Sequence, residues 1–122
     1  MADEPPRTST IARIIICGGR TYADRARVGA VLDEYAAAKP TIVHGGAPGA
    51  DTLADREARA RGLRVETFAA QWDVHGKAAG PIRNEAMVGA GADLVIAFAG
   101  GTGTADCLRR AKRAGIPTRR EP

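Results

Sequence analysis

Glycine-rich turns recur directly after apolar runs in this chain, and each turn leads into a stretch with helical spacing. The clearest case is Ala97-Phe98-Ala99-Gly100-Gly101-Thr102-Gly103-Thr104, between the apolar run Leu94 to Phe98 and a helical stretch from Thr104 to Ala114. Two others follow earlier runs: Cys17-Gly18-Gly19-Arg20 and His44-Gly45-Gly46-Ala47-Pro48-Gly49-Ala50-Asp51. Glycine carries no Cβ and tolerates positive φ, so such turns let another backbone or a ligand come close. The free N–H groups and positive dipole end of a following helix attract anions. One such turn is a weak signal. Three at the same ends of parallel strands make a nucleotide site the leading expectation.

The rest of the chain fits that alternation. Ile11 to Cys17 is apolar except for Arg13, as suits a strand buried on both faces. Asp24 to Ala38 places Val28, Val31, Leu32 and Tyr35 at helical spacing and ends before Pro40. Thr41 to His44 reads as a second strand, Ala50 to Arg61 as a helix closed by Gly62, and Leu63 to Phe68 as a third strand. Pro81 to Ala90 reads as a third helix with proline in its first turn. Asp93 to Phe98 is a fourth strand, and Gly115 to Thr118 a brief edge strand where proline is tolerable. Strands alternating with helices imply βαβ units, hence an α/β, Rossmann-like, doubly wound and mainly parallel sheet. Such a sheet binds ligands beyond the carboxyl ends of its strands, where the strand order reverses. The segment from Ala69 to Gly80 lacks apolar periodicity and reads as a long loop.

Composition narrows the function classes. A chain of 122 residues, 44% hydrophobic and 26% charged, has the balance of one soluble globular domain. Residues 1–10 are expected to form a disordered tail without a signal peptide, residues 11–118 the domain, and residues 119–122 a basic tail. No run approaches the roughly 18 apolar residues of a membrane span. The two cysteines, Cys17 and Cys107, have neither metal-ligand nor disulfide-framework spacing, so a reducing, cytoplasmic setting is expected. No structural metal is expected either. The net charge of +4 gathers near the end, at Arg109, Arg110, Lys112, Arg113, Arg119 and Arg120. A solvated helix face explains that cluster; a nucleic-acid footprint is the lesser alternative, since no aromatics are interleaved.

Four motifs in order carry a specific resemblance: Gly18-Gly19-Arg20-Thr21-Tyr22-Ala23-Asp24, His44 to Asp51, Trp72-Asp73-Val74-His75-Gly76-Lys77-Ala78-Ala79-Gly80-Pro81-Ile82-Arg83-Asn84, and Gly100 to Thr104. From residue 11 to about 118 the chain resembles the YspA-like, cpYpsA-related branch of the SLOG superfamily. That superfamily includes LOG-type nucleoside-monophosphate phosphoribohydrolases, the DNA-processing protein DprA and molybdenum-cofactor carriers. The resemblance implies a Rossmann-like fold and a site for nucleotides or derivatives such as NAD or ADP-ribose. It also implies a homodimer, and requires no permanent cofactor. LOG-type enzymes carry a catalytic glutamate three residues after the glycine–threonine pair; here that position is Cys107, which speaks against N-glycosidic hydrolysis.

Each candidate ligand residue carries a plainer alternative. Gly100, Gly101, Thr102, Gly103 and Thr104 would cradle phosphate, or simply form a tight turn with a threonine cap. Arg83 would bind phosphate bidentately, or lie on the surface neutralised by Glu85 or another carboxylate. Asn84 would touch the ligand or orient the loop. Arg20 would reach the same anion as the Gly18 and Gly19 turn. Asp24 would cap a helix or touch the ligand. Gly45, Gly46 and Asp51 would sit near the sugar, with Asp51 a ribose acceptor or general base, or else a favourable charge in a first helical turn. Trp72 would stack on a base or cover the sheet edge. Lys77 and His75 would approach a phosphate, and His44 reads as structural. As an enzyme the chain would lean on Asp51 or Glu85 in place of the missing glutamate. As a DprA-like protein it would bind single-stranded nucleic acid.

Overall fold

The computed structural model describes residues 10–122, so of the expected tail over residues 1–10 only Thr10 is within the described range. The apolar runs become strands β1 (Arg13–Cys17), β2 (Thr41–His44), β3 (Val65–Thr67) and β4 (Leu94–Phe98), and β5 (Thr118–Glu121) joins them. The helices are α1 (Arg25–Asp33), α2 (Ala50–Ala60), α3 (Trp72–His75), α4 (Ala79–Gly89) and α5 (Thr102–Arg113). The strands form one five-stranded sheet in the order β3-β2-β1-β4-β5, and every neighbouring pair is parallel. The chain builds outward from β1 through β2 to β3, then crosses back beyond β1 to lay down β4 and β5. The order therefore reverses between β1 and β4, where an open parallel sheet leaves a crevice at its carboxyl edge.

Alternation along β1 builds both cores. Ile14 and Ile16 pack with Val28, Val31 and Leu32 of α1 and Ala54 of α2, together with Ile42, Ile96 and Phe98. Ile15 and Cys17 face the other way, onto Met87 and Val88 of α4 and Cys107, Leu108 and Ala111 of α5. Helices on both faces are what a parallel sheet of nearly continuous apolar strands requires. Each fully buried Ile, Val or Leu adds about 1.5–3 kcal/mol from burial. Glycines allow the sheet's carboxyl edge to close tightly. A Cβ at Gly18 would come within 2.5 Å of Ala50 Cβ, and one at Gly19 within 2.8 Å of the Ala99 carbonyl.

Several boundaries differ from the sequence reading. The helix expected from Asp24 to Ala38 ends at Asp33, and a 3₁₀ turn at Ala36–Ala38 leads to Lys39 in the left-handed region at φ 51°. Pro40 disfavours the right-handed helical region for its predecessor, in keeping with Lys39 having left it. Asp24 caps α1 by accepting from the Arg27 N–H at 3.0 Å. The segment expected to be a loop from Ala69 to Gly80 instead holds α3, a 3₁₀ turn at Gly76–Ala78 and the start of α4. Pro81 is the third residue of α4, where the first-turn N–H groups lack helical acceptors anyway. α5 starts at Thr102, two residues early, and takes Gly103 into the helix. The edge strand lies at Thr118–Glu121 rather than Gly115 to Thr118, so residues assigned to a basic tail are ladder residues paired with β4.

Candidate functional site

A cleft of about 880 Å³ opens at the carboxyl edge of the sheet, over the reversal between β1 and β4. The three glycine turns meet there, but their backbone groups are used differently. In the first turn, Gly19 N–H donates to the Ala99 carbonyl at 2.9 Å, while the Gly19 carbonyl accepts from Ala50 and Tyr22. These bonds tie β1, α2 and the end of β4 together. In the second, the Asp51 carboxylate accepts from the N–H groups of Gly45 at 3.0 Å and Ala47 at 3.2 Å. Gly46 N–H donates to His44 Nδ1 at 2.9 Å. By that pattern of partners, His44 carries its proton on Nε2 and donates it to Asp55 at 2.7 Å. His44 thus holds loop and helix together, and the amides of Gly19, Gly45, Gly46 and Ala47 are all spent within the protein.

In the third turn Gly101 is the N-cap of α5, and like the Gly49 N-cap of α2 it makes no side-chain cap hydrogen bond among the described residues; at α2, however, the Ala50 N–H donates to the Gly19 carbonyl. The first-turn amides of Thr102, Gly103 and Thr104 have no intrahelical acceptor. All three residues line the cleft, with Gly100 and Gly101. A Cβ at Gly101 or Gly103 would meet nothing within 4 Å, so the turn is open at both positions.

Arg83 and Asn84, both on α4, face this open turn. Arg83 Nη1 donates to the Gly45 carbonyl at 2.6 Å, and its Nε to Asn84 Oδ1 at 2.9 Å. The guanidinium lies where a Gly45 Cβ would otherwise be. Asn84 is buried and donates from Nδ2 to the Gly103 carbonyl at 3.2 Å and to Asp106 at 3.0 Å. Arg83 is therefore held in place by the second turn, while Asn84 binds α4 to the first turn of α5. The alternative of a surface arginine neutralised by Glu85 is not realised. Glu85 is exposed, 3.6 Å from Arg110, and does not line the cleft.

Charge inside the cleft is uneven. Among the described residues no carboxylate forms an ion pair with Arg20, Lys77 or Arg83, all of which line it. The Arg20 guanidinium instead lies 5.2 Å from the centroid of the Trp72 ring. Two carboxylates face the cleft and titrate in opposite directions. Burial pushes Asp51 up from its ordinary value, against the opposing pull of its Ala47 amide partner and of Arg83. Burial would raise Asp106 too, but hydrogen bonds from Asn84 and Arg110 outweigh it and hold that carboxyl below its ordinary value. Beneath the floor, Cys17 meets the thiol of Cys107, and that hydrogen bond together with burial raises the Cys17 pKa well above the usual thiol value.

Of the residues singled out in the sequence, Gly18, Gly19, Arg20, Gly45, Asp51, Trp72, Lys77, Arg83, Asn84 and all of Gly100 to Thr104 line this one cleft. Gly46 does not; at φ 71° it turns toward Thr67 of β3. His75 is also outside. Cys107 is only 1% exposed and belongs to the buried stripe of α5 with Thr104, Leu108 and Ala111. Its neighbour Asp106 lines the cleft, as does Arg109, and neither was singled out as a ligand residue. The i,i+3 and i,i+4 pairs from Asp106 to Arg109 and Arg110 were the available signal, and they read as surface pairs. Among the described residues no group of three or more His, Cys, Asp or Glu side chains is arranged to hold a metal ion, and no helix is long and apolar enough to cross a membrane.

Residues 12–75 match the family described as "YspA, cpYpsA-related SLOG family". The Gene 61 protein of Mycobacterium phage D29 is 45% identical over 115 residues, spanning 86% of this chain and 92% of the phage protein. Among solved structures, DNA processing protein A (DprA) from Streptococcus pneumoniae superposes with a TM-score of 0.74 at 20% identity. That match covers 94% of this chain and 52% of DprA, so the chain spans about half of the larger protein. The structural-genomics target TM1055 superposes with a TM-score of 0.68 at 18% identity, over 88% of this chain and 72% of its own. Similarity at these identities is a likeness of fold.

Proposed function

This chain belongs to the YspA, cpYpsA-related SLOG family, and from that membership and its cleft we propose that it is a binding module for a nucleotide or nucleotide derivative. The observation that carries the reading is the uncapped start of α5, open to the cleft and opposite an arginine that has no carboxylate partner among the described residues. Helix N-terminal amides and a guanidinium together suit a phosphate, since both donate to its oxygens and both lower the cost of its charge. The phosphate rests on Thr102 to Thr104 and meets Arg83, with Lys77 nearby. The sugar lies toward Gly45 and Asp51. With its oxygen already accepting two loop amides, Asp51 acts mainly as a support for the second turn and presents its remaining acceptor capacity to a hydroxyl.

Hydrolysis of the N-glycosidic bond gains no support from the site. The position where LOG-type enzymes place their glutamate is a buried cysteine, and Asp106 beside it is neutralised by Arg109 and Arg110. Nucleic-acid binding gains little either. Arg119 is engaged with Glu34, Glu121 and Tyr35, so the basic cluster near the end is partly spent on internal pairs.

A thermal-shift panel of nucleoside monophosphates, ADP-ribose, NAD and a short single-stranded DNA tests the proposal. A ligand at 100 times its dissociation constant adds about 2.7 kcal/mol of stability, which moves the midpoint of a domain this size by several degrees. At least one nucleotide should give that shift, and Arg83→Met should remove it while the circular-dichroism spectrum stays native. No shift from any nucleotide overturns the proposal. A shift from DNA alone replaces it.

A further inference from the structure

We propose that Arg20 and Trp72 form a displaceable latch across the cleft, and that the aromatic base of the bound nucleotide takes the place of Arg20 on the indole. The inference rests on the nucleotide-binding reading and adds a requirement to it: the ligand must carry a base, and not only a sugar phosphate.

Arg20 comes from the turn after β1 and Trp72 opens α3, so their contact at 5.2 Å spans two walls of the cleft. Trp72 is 47% exposed, one of the few large apolar side chains left so on the described surface. A half-exposed indole with a cation on its face is a stacking platform already in use. A guanidinium and a nucleobase are both flat π systems that stack on indole, so one can replace the other. At an exposed site the cation–π contact is weak, which makes the latch easy to open. Among the described residues Arg20 has no carboxylate partner, and an arriving phosphate supplies a substitute. The spacing suits a nucleotide as well. A Cβ at Gly80 would lie 3.3 Å from the Trp72 ring and 3.9 Å from Arg83 Nη2, so indole and phosphate-facing guanidinium flank one small gap. A base on Trp72 then has its own phosphate within reach of Arg83.

Trp72 is the only tryptophan in the chain, so its fluorescence reports on this position alone. Wild type is titrated with AMP, UMP and ribose 5-phosphate, following Trp72 emission and, in parallel, heat. AMP should quench the emission and bind at least tenfold more tightly than ribose 5-phosphate, with UMP between them. By calorimetry Trp72→Leu should bind AMP no better than ribose 5-phosphate, and Trp72→Phe should restore most of the difference. In ligand-free Arg20→Met, acrylamide should quench Trp72 more strongly than in wild type, because the ring face is uncovered. Equal affinity for AMP and ribose 5-phosphate in wild type overturns the base requirement and leaves the phosphate site standing. A tenfold preference that survives in Trp72→Leu overturns the role of the indole, and unchanged acrylamide quenching in Arg20→Met overturns the latch. Binding of none of the three probes overturns the latch, while the nucleotide reading is decided by the wider panel above.

Discussion

The first and last glycine turns look alike in sequence, pack on each other, and part ways after Gly100. Gly18-Gly19-Arg20 and Gly100-Gly101-Thr102-Gly103-Thr104 both follow a buried strand and both line the cleft. In the first, the missing side chains admit neighbouring protein: Ala50 presses on Gly18, and the Ala99 carbonyl accepts the Gly19 N–H. In the last, Gly100 packs just as closely, against the Gly19 backbone and Thr104, but Gly101 and Gly103 face open space, and the amides that follow are left without helical acceptors. One turn uses glycine for packing and the other leaves backbone donors for a guest. Glycine after a strand therefore reports closeness to the sheet edge, and only the surroundings tell what comes close.

Substitutions can break that contrast, and the largest effect belongs to the packed turn. Gly19→Val forces a side chain against the Ala99 carbonyl and should cost about 3 kcal/mol by overpacking, read as a lower urea midpoint at unchanged slope. A midpoint like that of wild type means the two turns are not different in kind. Next comes the open turn. A Cβ at Gly101 would meet no atom within 4 Å and its φ is negative, so Gly101→Leu should cost under about 1 kcal/mol of stability. Its binding of AMP should nevertheless weaken at least tenfold, a loss of about 1.4 kcal/mol. Retained affinity in that variant means phosphate does not use this turn.

The smallest effect concerns the carboxylate beside the open turn. Because Asp106 is held below its ordinary value of 3.8, its contribution is present above that pH and is lost as the pH falls through its folded value. Asp106→Asn should therefore cost about 1 kcal/mol at pH 7, with a cost that shrinks as the pH falls below 3.8, measured by denaturation at each pH. A pH-independent difference means that the Asn84 and Arg110 contacts do not depend on its charge.

Much of this arrangement is legible without coordinates, for identifiable reasons. The apolar runs and the helical stripe of Thr104, Cys107, Leu108 and Ala111 are periodic signals, and periodicity survives in a single sequence. The βαβ alternation then puts all three turns at one edge through chain direction alone. What stayed hidden lacks such a signal. α3 is a single turn, Trp72–His75, too short for a period to show. β5 is Thr-Arg-Arg-Glu, read as a tail because nothing in it is apolar; it becomes a strand by pairing with β4, and its Glu121 is buried between Arg27 and Arg119. Asp106 was passed over because one residue along a helix turns the side chain by about 100° away from the position the resemblance marks. In this fold that rotation points Cys107 into the core and leaves Asp106 at the cleft.

The sequence by itself determined the class of fold, the order of its elements and the edge at which a site would lie, because these follow from local patterning and from the one-way sense of parallel crossovers. Only the tertiary structure decided which glycine turns spend their amides on the protein and which one keeps them, that Arg83 is fastened by the Gly45 carbonyl and not by Glu85, and that Arg20 lies on Trp72. Those outcomes depend on which atoms meet across long stretches of chain, and hydrogen bonds and ring contacts act over a few ångströms that no local pattern records.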